Sequence, residues 1–273
     1  MVRTARILAA FVLRDLRWAA SYRLWALVQG AQVLALAFTF FFVARMLEGA
    51  RGGIPALEPY GGRYFGFALV GLAVSGYLDA SLRSFSDALR RAQTTGTLAA
   101  MLSTGAPLGA VVAGSATFAL VGALLRAVAF LGVGALLMGL PVETARWGAV
   151  LAVFGLTVGV SLVLGLFAAG FVIRFQRGDP VTAGLGALSW LASGVLYPKE
   201  VLPWPIQQMA AWLPLTHCLD GMRLALLVGA EWSALAPSMG ALAAFFALGA
   251  PLAAVWFYRS VRAAKREGGL SRY

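Results

Sequence analysis

Arginine supplies nearly all of the positive charge of this chain. Of its 22 basic residues only Lys199 and Lys265 are lysines, and neither lies in a G-x-x-x-x-G-K-[ST] phosphate-binding loop. His217 and Cys218 are the only residues of their types. They have no partners at metal-ligand or catalytic spacing, so we interpret both as packing residues. The sequence therefore predicts no catalytic residue, no bound metal and no bound cofactor.

Arg126 stands near the centre of a long apolar stretch. An arginine at the centre of a membrane helix costs at least about 2.5–3.5 kcal/mol, so it needs a wet cavity or a polar partner. Two interpretations stay open: Arg126 attracts an anionic group of a transported molecule, or it has a structural partner, either Asp79 or the carbonyl of a broken helix. Asp220 and Arg223 are three residues apart on one helix and are predicted to pair with each other.

Aromatic residues cluster in the first two apolar stretches, where Phe38 and Phe41 are followed by Tyr64 and Phe67. Such rings could line a substrate pathway for sugars or lipid tails. Aromatic residues are also common at membrane interfaces, so this second interpretation stays open.

The elements that must position these residues follow from composition. The chain has 273 residues, of which 60% are hydrophobic and 12% are charged, about half the charge fraction of an average globular domain. A soluble enzyme, a disordered chain and a disulfide scaffold are excluded. We expect residues 1–273 to form one all-α polytopic membrane domain with six transmembrane helices. The predicted spans are 24–47, 64–86, 108–140, 147–173, 180–197 and 233–258.

The net charge of +11 is distributed unevenly along the chain. With the amino terminus in the cytoplasm, most cations lie on the cytoplasmic side, so both termini are predicted to be cytoplasmic in a cell membrane. This distribution favours a lipid membrane rather than nucleic acid as the partner of the charge. Residues 1–23 are predicted to form an amphipathic helix on the membrane surface. Its basic side carries Arg6, Arg14 and Arg17.

Residues 87–107 interrupt the spans on the cytoplasmic side. Asp87 is a possible helix cap, and glycine and proline end the segment. The pattern favours a short helix across the membrane surface, with a solvated loop as the alternative. Its polar contacts would come from Arg90, Arg91 and Gln93, and its apolar face from Leu98, Met101 and Leu102.

Residues 198–230 interrupt the spans on the outer side. This segment contains prolines at positions 198, 203, 205 and 214, which break it too often for one spanning helix. It is also too apolar for a solvated loop. We therefore predict short re-entrant helices, because irregular backbone at membrane depth must be buried in protein or line a cavity.

At these two places the sequence resembles the type 2 permeases of ABC exporters, which export polysaccharides, teichoic acids and drugs. The chain departs from the family where glutamates often flank Gly-Thr-Leu, since it has Gln93 and Ala99. The cytoplasmic motif corresponds to Arg90, Arg91, Gly96, Thr97, Leu98, Met101, Leu102, Ser103 and Thr104. The later motif corresponds to Ser193, Gly194 and Pro198, then Leu202 and Pro203, then Pro214, Leu215 and Thr216, then Gly221 and Arg223.

The resemblance implies a permease that works as a homodimer or a close heterodimer. Two copies of a separate nucleotide-binding ATPase subunit would carry ATP and Mg, and residues 87–98 would contact them. An amphipathic substrate, such as a lipid-linked glycan, a polysaccharide, a lipid or a drug, would move outward between the two permeases. The alternative is an ion-coupled secondary transporter, which would need carboxylates within the membrane. The candidates, Asp79 and Asp220, lie near the ends of their segments.

Overall fold

The described part of the chain consists of helices and turns, without a strand. The computed structural model describes residues 23–51, 55–94, 108–140, 143–175 and 179–266. The longer helices are α1 (Arg23–Arg51), α2 (Tyr64–Thr94), α3 (Leu108–Met138), α4 (Trp147–Phe175), α5 (Asp179–Ala192) and α8 (Trp232–Arg266). The shorter ones are α6 (Trp204–Ala211), α7 (Pro214–Arg223), two 3₁₀ turns (Pro55–Tyr60 and Lys199–Val201) and a π turn (Leu224–Val228).

Five of these helices are long and apolar enough to cross a membrane, which confirms a multi-pass helical protein. Their candidate spans are Val28–Glu48, Tyr64–Ala88, Ala116–Met138, Trp147–Phe175 and Trp232–Ala264. They correspond to five of the six predicted segments. The remaining segment, 180–197, contains α5, whose 14 residues give a length of about 21 Å. Helix length alone therefore supports five crossings.

The central helix of the fold is α2. Of the residues in its most apolar stretch 72% are buried, against 11% in α1. Helix α2 packs on α3 and α4 through large side chains such as Leu69 and Tyr77, and the Tyr77 ring lies tilted against that of Phe154 with ring centroids 5.4 Å apart. The candidate span within α2, Tyr64–Ala88, ends two residues after the predicted boundary at residue 86, while the helix itself continues without a break to Thr94. Apolar periodicity ends at the membrane surface, but nothing in residues 87–94 stops a helix.

The segment 198–230, hereafter the outer segment after its predicted side, is divided into short helices with breaks at Pro203 and Pro214. Pro203 is the cap residue of α6, and Pro214 occupies the first turn of α7, positions where the missing N–H of proline costs nothing. Gly229 ends the π turn with a φ of 65°. A Cβ atom there would lie 2.0 Å from the carbonyl oxygen of Thr144. The chain thus turns tightly against the α3–α4 loop before it enters α8.

Candidate functional site

The guanidinium of Arg223 joins three parts of the fold. It is 2% exposed, at the end of α7. Its Nε donates to the carbonyl of Phe67 on α2 at 3.3 Å, and its two terminal nitrogens donate to the carbonyls of Gly194 at 3.0 Å and Val195 at 2.7 Å. The guanidinium carbon also lies 3.4 Å from the ring centroid of Phe67, a cation–π geometry. Arg223 therefore fixes the turn after α5 and the end of α7 onto α2.

Glycines make room for this clamp. A Cβ atom at Gly71 would lie 2.2 Å from the carbonyl oxygen of Val195 and 2.7 Å from a terminal nitrogen of Arg223. Gly194 has a φ of 72°, a conformation that favours glycine, and its own carbonyl accepts from Arg223. The resemblance-derived residues Gly194 and Arg223 thus meet in space, although they are separated by two short helices.

The predicted pairing of Asp220 with Arg223 is wrong. Asp220 instead accepts a hydrogen bond from the Tyr60 hydroxyl at 2.9 Å and forms an ion pair with Lys199. Side chains three apart on a helix can meet, but the fold offers each of these two residues better-placed partners. Burial, followed by the nearby charge of Asp220, raises the pKa of Tyr60. The Tyr60 phenol is therefore a neutral donor, and this network ties both outer 3₁₀ turns to α7.

The other residues predicted for the re-entrant segment pack within residues 198–230 or against α4. Gly221 lies against α4, where a Cβ atom would approach a methyl group of Val153 to 3.1 Å. Pro198 precedes the 3₁₀ turn Lys199–Val201. The Thr216 hydroxyl oxygen is buried and has no hydrogen-bond partner among the described residues. These contacts help to position Arg223 and Asp220.

An open groove of about 530 Å³ lies between α1, α2 and α3. Its charged lining residues are Arg126 and Asp79, and Gln32 and Thr39 are polar neighbours on α1. The rest of the lining is mostly apolar. The residues of the groove are Gln32, Val33, Ala35, Leu36, Thr39, Leu72, Ala73, Gly76, Tyr77, Asp79, Ala80, Ala123, Arg126, Ala127 and Phe130.

Arg126 and Asp79 line the same groove without pairing. The Asp79 carboxylate accepts from Nε of Arg83, at 3.1 and 3.0 Å to its two oxygens. Arg126 is exposed, and among the residues that the structure describes it has no hydrogen bond or ion pair. The proposed structural partner of Arg126 is thus engaged by another arginine, and the interpretation that Arg126 faces a cavity is the one the geometry favours.

The predicted aromatic residues do not line this groove. Phe67 is fully buried beneath Arg223 and packs on Tyr60 with ring centroids 5.3 Å apart. Phe41 packs edge-on against Phe65 at 5.6 Å, and the Tyr64 backbone N–H donates to Glu48 at 3.0 Å. Phe38 is 43% exposed on α1, at a position where it can contact lipid. The aromatic residues of the groove are Tyr77 and Phe130.

Four of the predicted coupling residues lie at the carboxyl-terminal end of α2. Asp87 and Arg90 are exposed there, and Arg91 and Gln93 belong to the same helix. Gly96, Thr97, Leu98 and Met101 lie outside the described residues, as do Arg6, Arg14 and Arg17 of the predicted surface helix.

Two groups of residues escaped the sequence analysis for different reasons. Gln32 and Thr39 are seven residues apart in an apolar helix, so they share one face, and this local signal was available. Tyr60 and Lys199 are 160 and 21 residues from Asp220. No local pattern identifies such partners, because only the fold brings them together.

A family model described as ABC-2 type transporter matches residues 6–227. This region contains the groove, the carboxyl-terminal end of α2 and the Arg223 clamp. No curated protein matches the chain.

Proposed function

Because the chain belongs to the ABC-2 type transporter family, we propose that it is the permease subunit of an ATP-driven exporter. Members of this family are membrane components of transporters. The five candidate spans make this chain a multi-pass membrane protein. We propose that a separate ATPase subunit, present in two copies, binds ATP and Mg and drives transport. A second copy of the permease would complete the pathway, through which an amphipathic substrate leaves the cytoplasmic side.

The continuity of α2 is the observation that carries the ATP-coupling proposal. Its 31 residues give a length of about 46 Å, which exceeds the hydrocarbon core of about 30 Å. One rigid helix therefore runs from the cytoplasmic residues Asp87 and Arg90 to the outer carbonyl of Phe67, which Arg223 holds. A displacement at the cytoplasmic end would reach the outer segment without passing through a flexible joint.

The orientation that we propose places the ATPase at this cytoplasmic end. Both chain termini would be cytoplasmic, and residues 1–23 would lie on the inner membrane surface. This orientation requires a sixth crossing between α4 and α8. The path of α5 supports it: Gly186 lies beside Asp79, and Val195 lies beside Gly71. As the chain advances it therefore passes back along α2 towards the outer side, and α5 with the following turn would complete the crossing.

The test is co-purification from the native membrane in mild detergent, followed by mass spectrometry and an ATP hydrolysis assay. We expect a stoichiometric ATPase with a phosphate-binding loop and vanadate-sensitive hydrolysis. The Arg90→Ala/Arg91→Ala variant should lose the ATPase subunit or uncouple its hydrolysis while still inserting in the membrane. Its matched control, Arg259→Ala/Arg262→Ala, removes two charges from the end of α8. This control should keep the ATPase subunit and its coupled hydrolysis.

Two results would contradict this function. A permease that purifies without any ATPase, under conditions that preserve a control complex, would favour the ion-coupled transporter. In that case Asp79, Arg126 and Asp220 would be the residues to replace. A normal complex with normal hydrolysis in the Arg90→Ala/Arg91→Ala variant would place the coupling contact elsewhere.

A further inference from the structure

The groove between α1, α2 and α3 lies at the depth of the membrane centre. Arg126 is near the middle of the candidate span Ala116–Met138, and Thr39 is near the middle of Val28–Glu48. Both residues line the groove. Arg126 and Thr39 are exposed in the structure, so the groove is accessible from the side of the protein. A polar site at this depth is costly unless something polar occupies it.

The charges around the groove do not balance. Asp79 and Arg126 are the charged residues of its lining, and Asp79 is already bound by Arg83 through both carboxylate oxygens. Within the described residues the guanidinium of Arg126 therefore has no anionic partner. Because arginine donors match carboxylate and phosphate groups in a two-pronged geometry, the site is suited to an anion.

The rest of the lining is suited to a hydrocarbon chain. Leu36, Leu72 and Phe130 are among the apolar residues beside Arg126, and Leu36 is 42% exposed. Thr39 donates its hydroxyl hydrogen to the carbonyl of Ala35 at 2.8 Å, so its oxygen can still accept. A free inorganic ion would leave this apolar surface unoccupied. A molecule with an anionic head and an apolar tail would cover both parts of the groove.

We propose that this groove binds an amphiphile by its anionic headgroup, with Arg126 as the headgroup contact and the apolar walls of α1–α3 against its tail. That the amphiphile is the exported substrate rests on the function proposed above. The preference of the groove for an anion does not rest on it. The site would receive the amphiphile sideways from the membrane, since its residues on α1 are exposed.

The first experiment measures the electrostatic potential of the groove. In full-length protein carrying Cys218→Ala and Thr39→Cys, the introduced thiol is the only one, since Cys218 is the single cysteine of the chain. The protein is placed in phosphatidylcholine nanodiscs, and the thiol is modified with an anionic or a cationic ethyl methanethiosulfonate. We expect faster modification by the anionic reagent. Removing one nearby charge by Arg126→Ala should lower the anionic-to-cationic rate ratio at least about fivefold.

Two further variants control this measurement. Arg126→Lys keeps the charge and should keep most of the rate ratio. Arg146→Ala removes an exposed arginine from the α3–α4 loop, away from the groove, and should leave the ratio unchanged. If Arg126→Ala does not fold, the protection experiment below still tests the proposal, because it uses only the variant with Cys218→Ala and Thr39→Cys.

The second experiment tests the class of ligand by protection of the same thiol. Decyl phosphate should slow modification by an uncharged methanethiosulfonate in a saturable manner. Decyltrimethylammonium and decyl maltoside, which have the same tail, should not protect at equal concentration, and neither should inorganic phosphate. Equal protection by inorganic phosphate would indicate a free-anion site, and equal protection by all three decyl compounds would indicate an apolar groove; either result overturns the proposal.

Two other results would overturn it as well. If neither charged reagent modifies the thiol, the groove is not accessible to a polar group. If the rate ratio is the same with and without Arg126, this arginine does not set the potential of the groove. Neither experiment contains an ATPase, so the groove proposal can fail while the exporter function stands, and the reverse is equally possible.

Discussion

The side chains of Arg223 and Arg126 have opposite surroundings in this protein. Arg223 is buried, and its charge is stabilised by three backbone carbonyls and the face of Phe67. Arg126 is exposed in a groove and has no hydrogen bond or ion pair within the described residues. A side chain whose donors are satisfied by the fold is structural, whereas one whose donors face a cavity is available to a ligand.

The structural role of Arg223 can be measured directly. Arg223→Met keeps a long side chain but removes three hydrogen bonds from a charged donor, each worth about 1.5–3 kcal/mol. We expect the free energy of unfolding to fall by at least about 3 kcal/mol and the melting temperature in detergent to fall by roughly 6–12 °C. The melting temperature of Arg223→Lys should lie between those of the unchanged protein and Arg223→Met, because a single ammonium cannot reach three carbonyls as a guanidinium does.

The control for this prediction is Arg146→Met. Arg146 is exposed, so its replacement should change the free energy of unfolding by less than about 0.5 kcal/mol. Equal melting temperatures for Arg223→Met and Arg146→Met would show that the carbonyl clamp contributes nothing to stability.

At the scale of elements, the contact between α2 and the turn after α5 depends on the absence of a side chain. The carbonyl of Val195 approaches α2 so closely that a Cβ atom at Gly71 would overlap it at 2.2 Å. Since the obstacle is backbone rather than a flexible side chain, the overlap can be relieved only by moving the whole turn. Gly76 is in the same helix and has open space around its Cβ position.

This pair of glycines gives a matched test. Gly71→Ala should separate the outer segment from α2 and destabilise the protein, despite the higher helix propensity of alanine. Gly76→Ala should be neutral or stabilise the protein by up to about 1 kcal/mol, because only the propensity changes. Thermal unfolding of the two variants in the same detergent measures the difference. A Gly71→Ala variant as stable as Gly76→Ala would contradict the close contact.

At the scale of the whole molecule, the number of crossings depends on α5. Five helices are long enough to span the bilayer by themselves, while α5 has 14 residues. With its following turn, however, α5 passes along α2 from Asp79 to Gly71. A short helix can complete a crossing here because its polar turn is buried against Arg223 instead of being exposed to lipid.

A labelling experiment tests this topology. In the Cys218→Ala background, Val201→Cys places a thiol at an exposed position after α5, and Phe175→Cys places one at the exposed end of α4, before α5. A membrane-impermeant maleimide should label the first variant in intact cells and the second only after permeabilisation. Labelling of both from the same side would exclude a crossing by α5 and the following turn.

Some helix starts and breaks of this protein can be predicted from the local sequence. Apolar runs predict the helices that begin at Tyr64 and Trp147, because a bilayer crossing needs about 20 consecutive apolar residues. Prolines predict the breaks before α6 and α7, because proline has no backbone N–H and is best tolerated in the first turn of a helix. The helix α2 continues past the predicted span to Thr94, since loss of hydrophobicity marks the membrane surface and not the end of a helix.

The sequence by itself determined the membrane class, the helical segments, the broken outer segment and the resemblance to a permease family. These properties depend on hydrophobicity and backbone chemistry, which act over a few neighbouring residues. Only the tertiary structure decided the partners of the charged side chains. Asp220 meets Tyr60 and Lys199, Arg223 meets carbonyls, and Arg126 faces a groove. Those contacts join residues far apart in the chain, and packing of whole helices, rather than any local pattern, sets which of them come within reach.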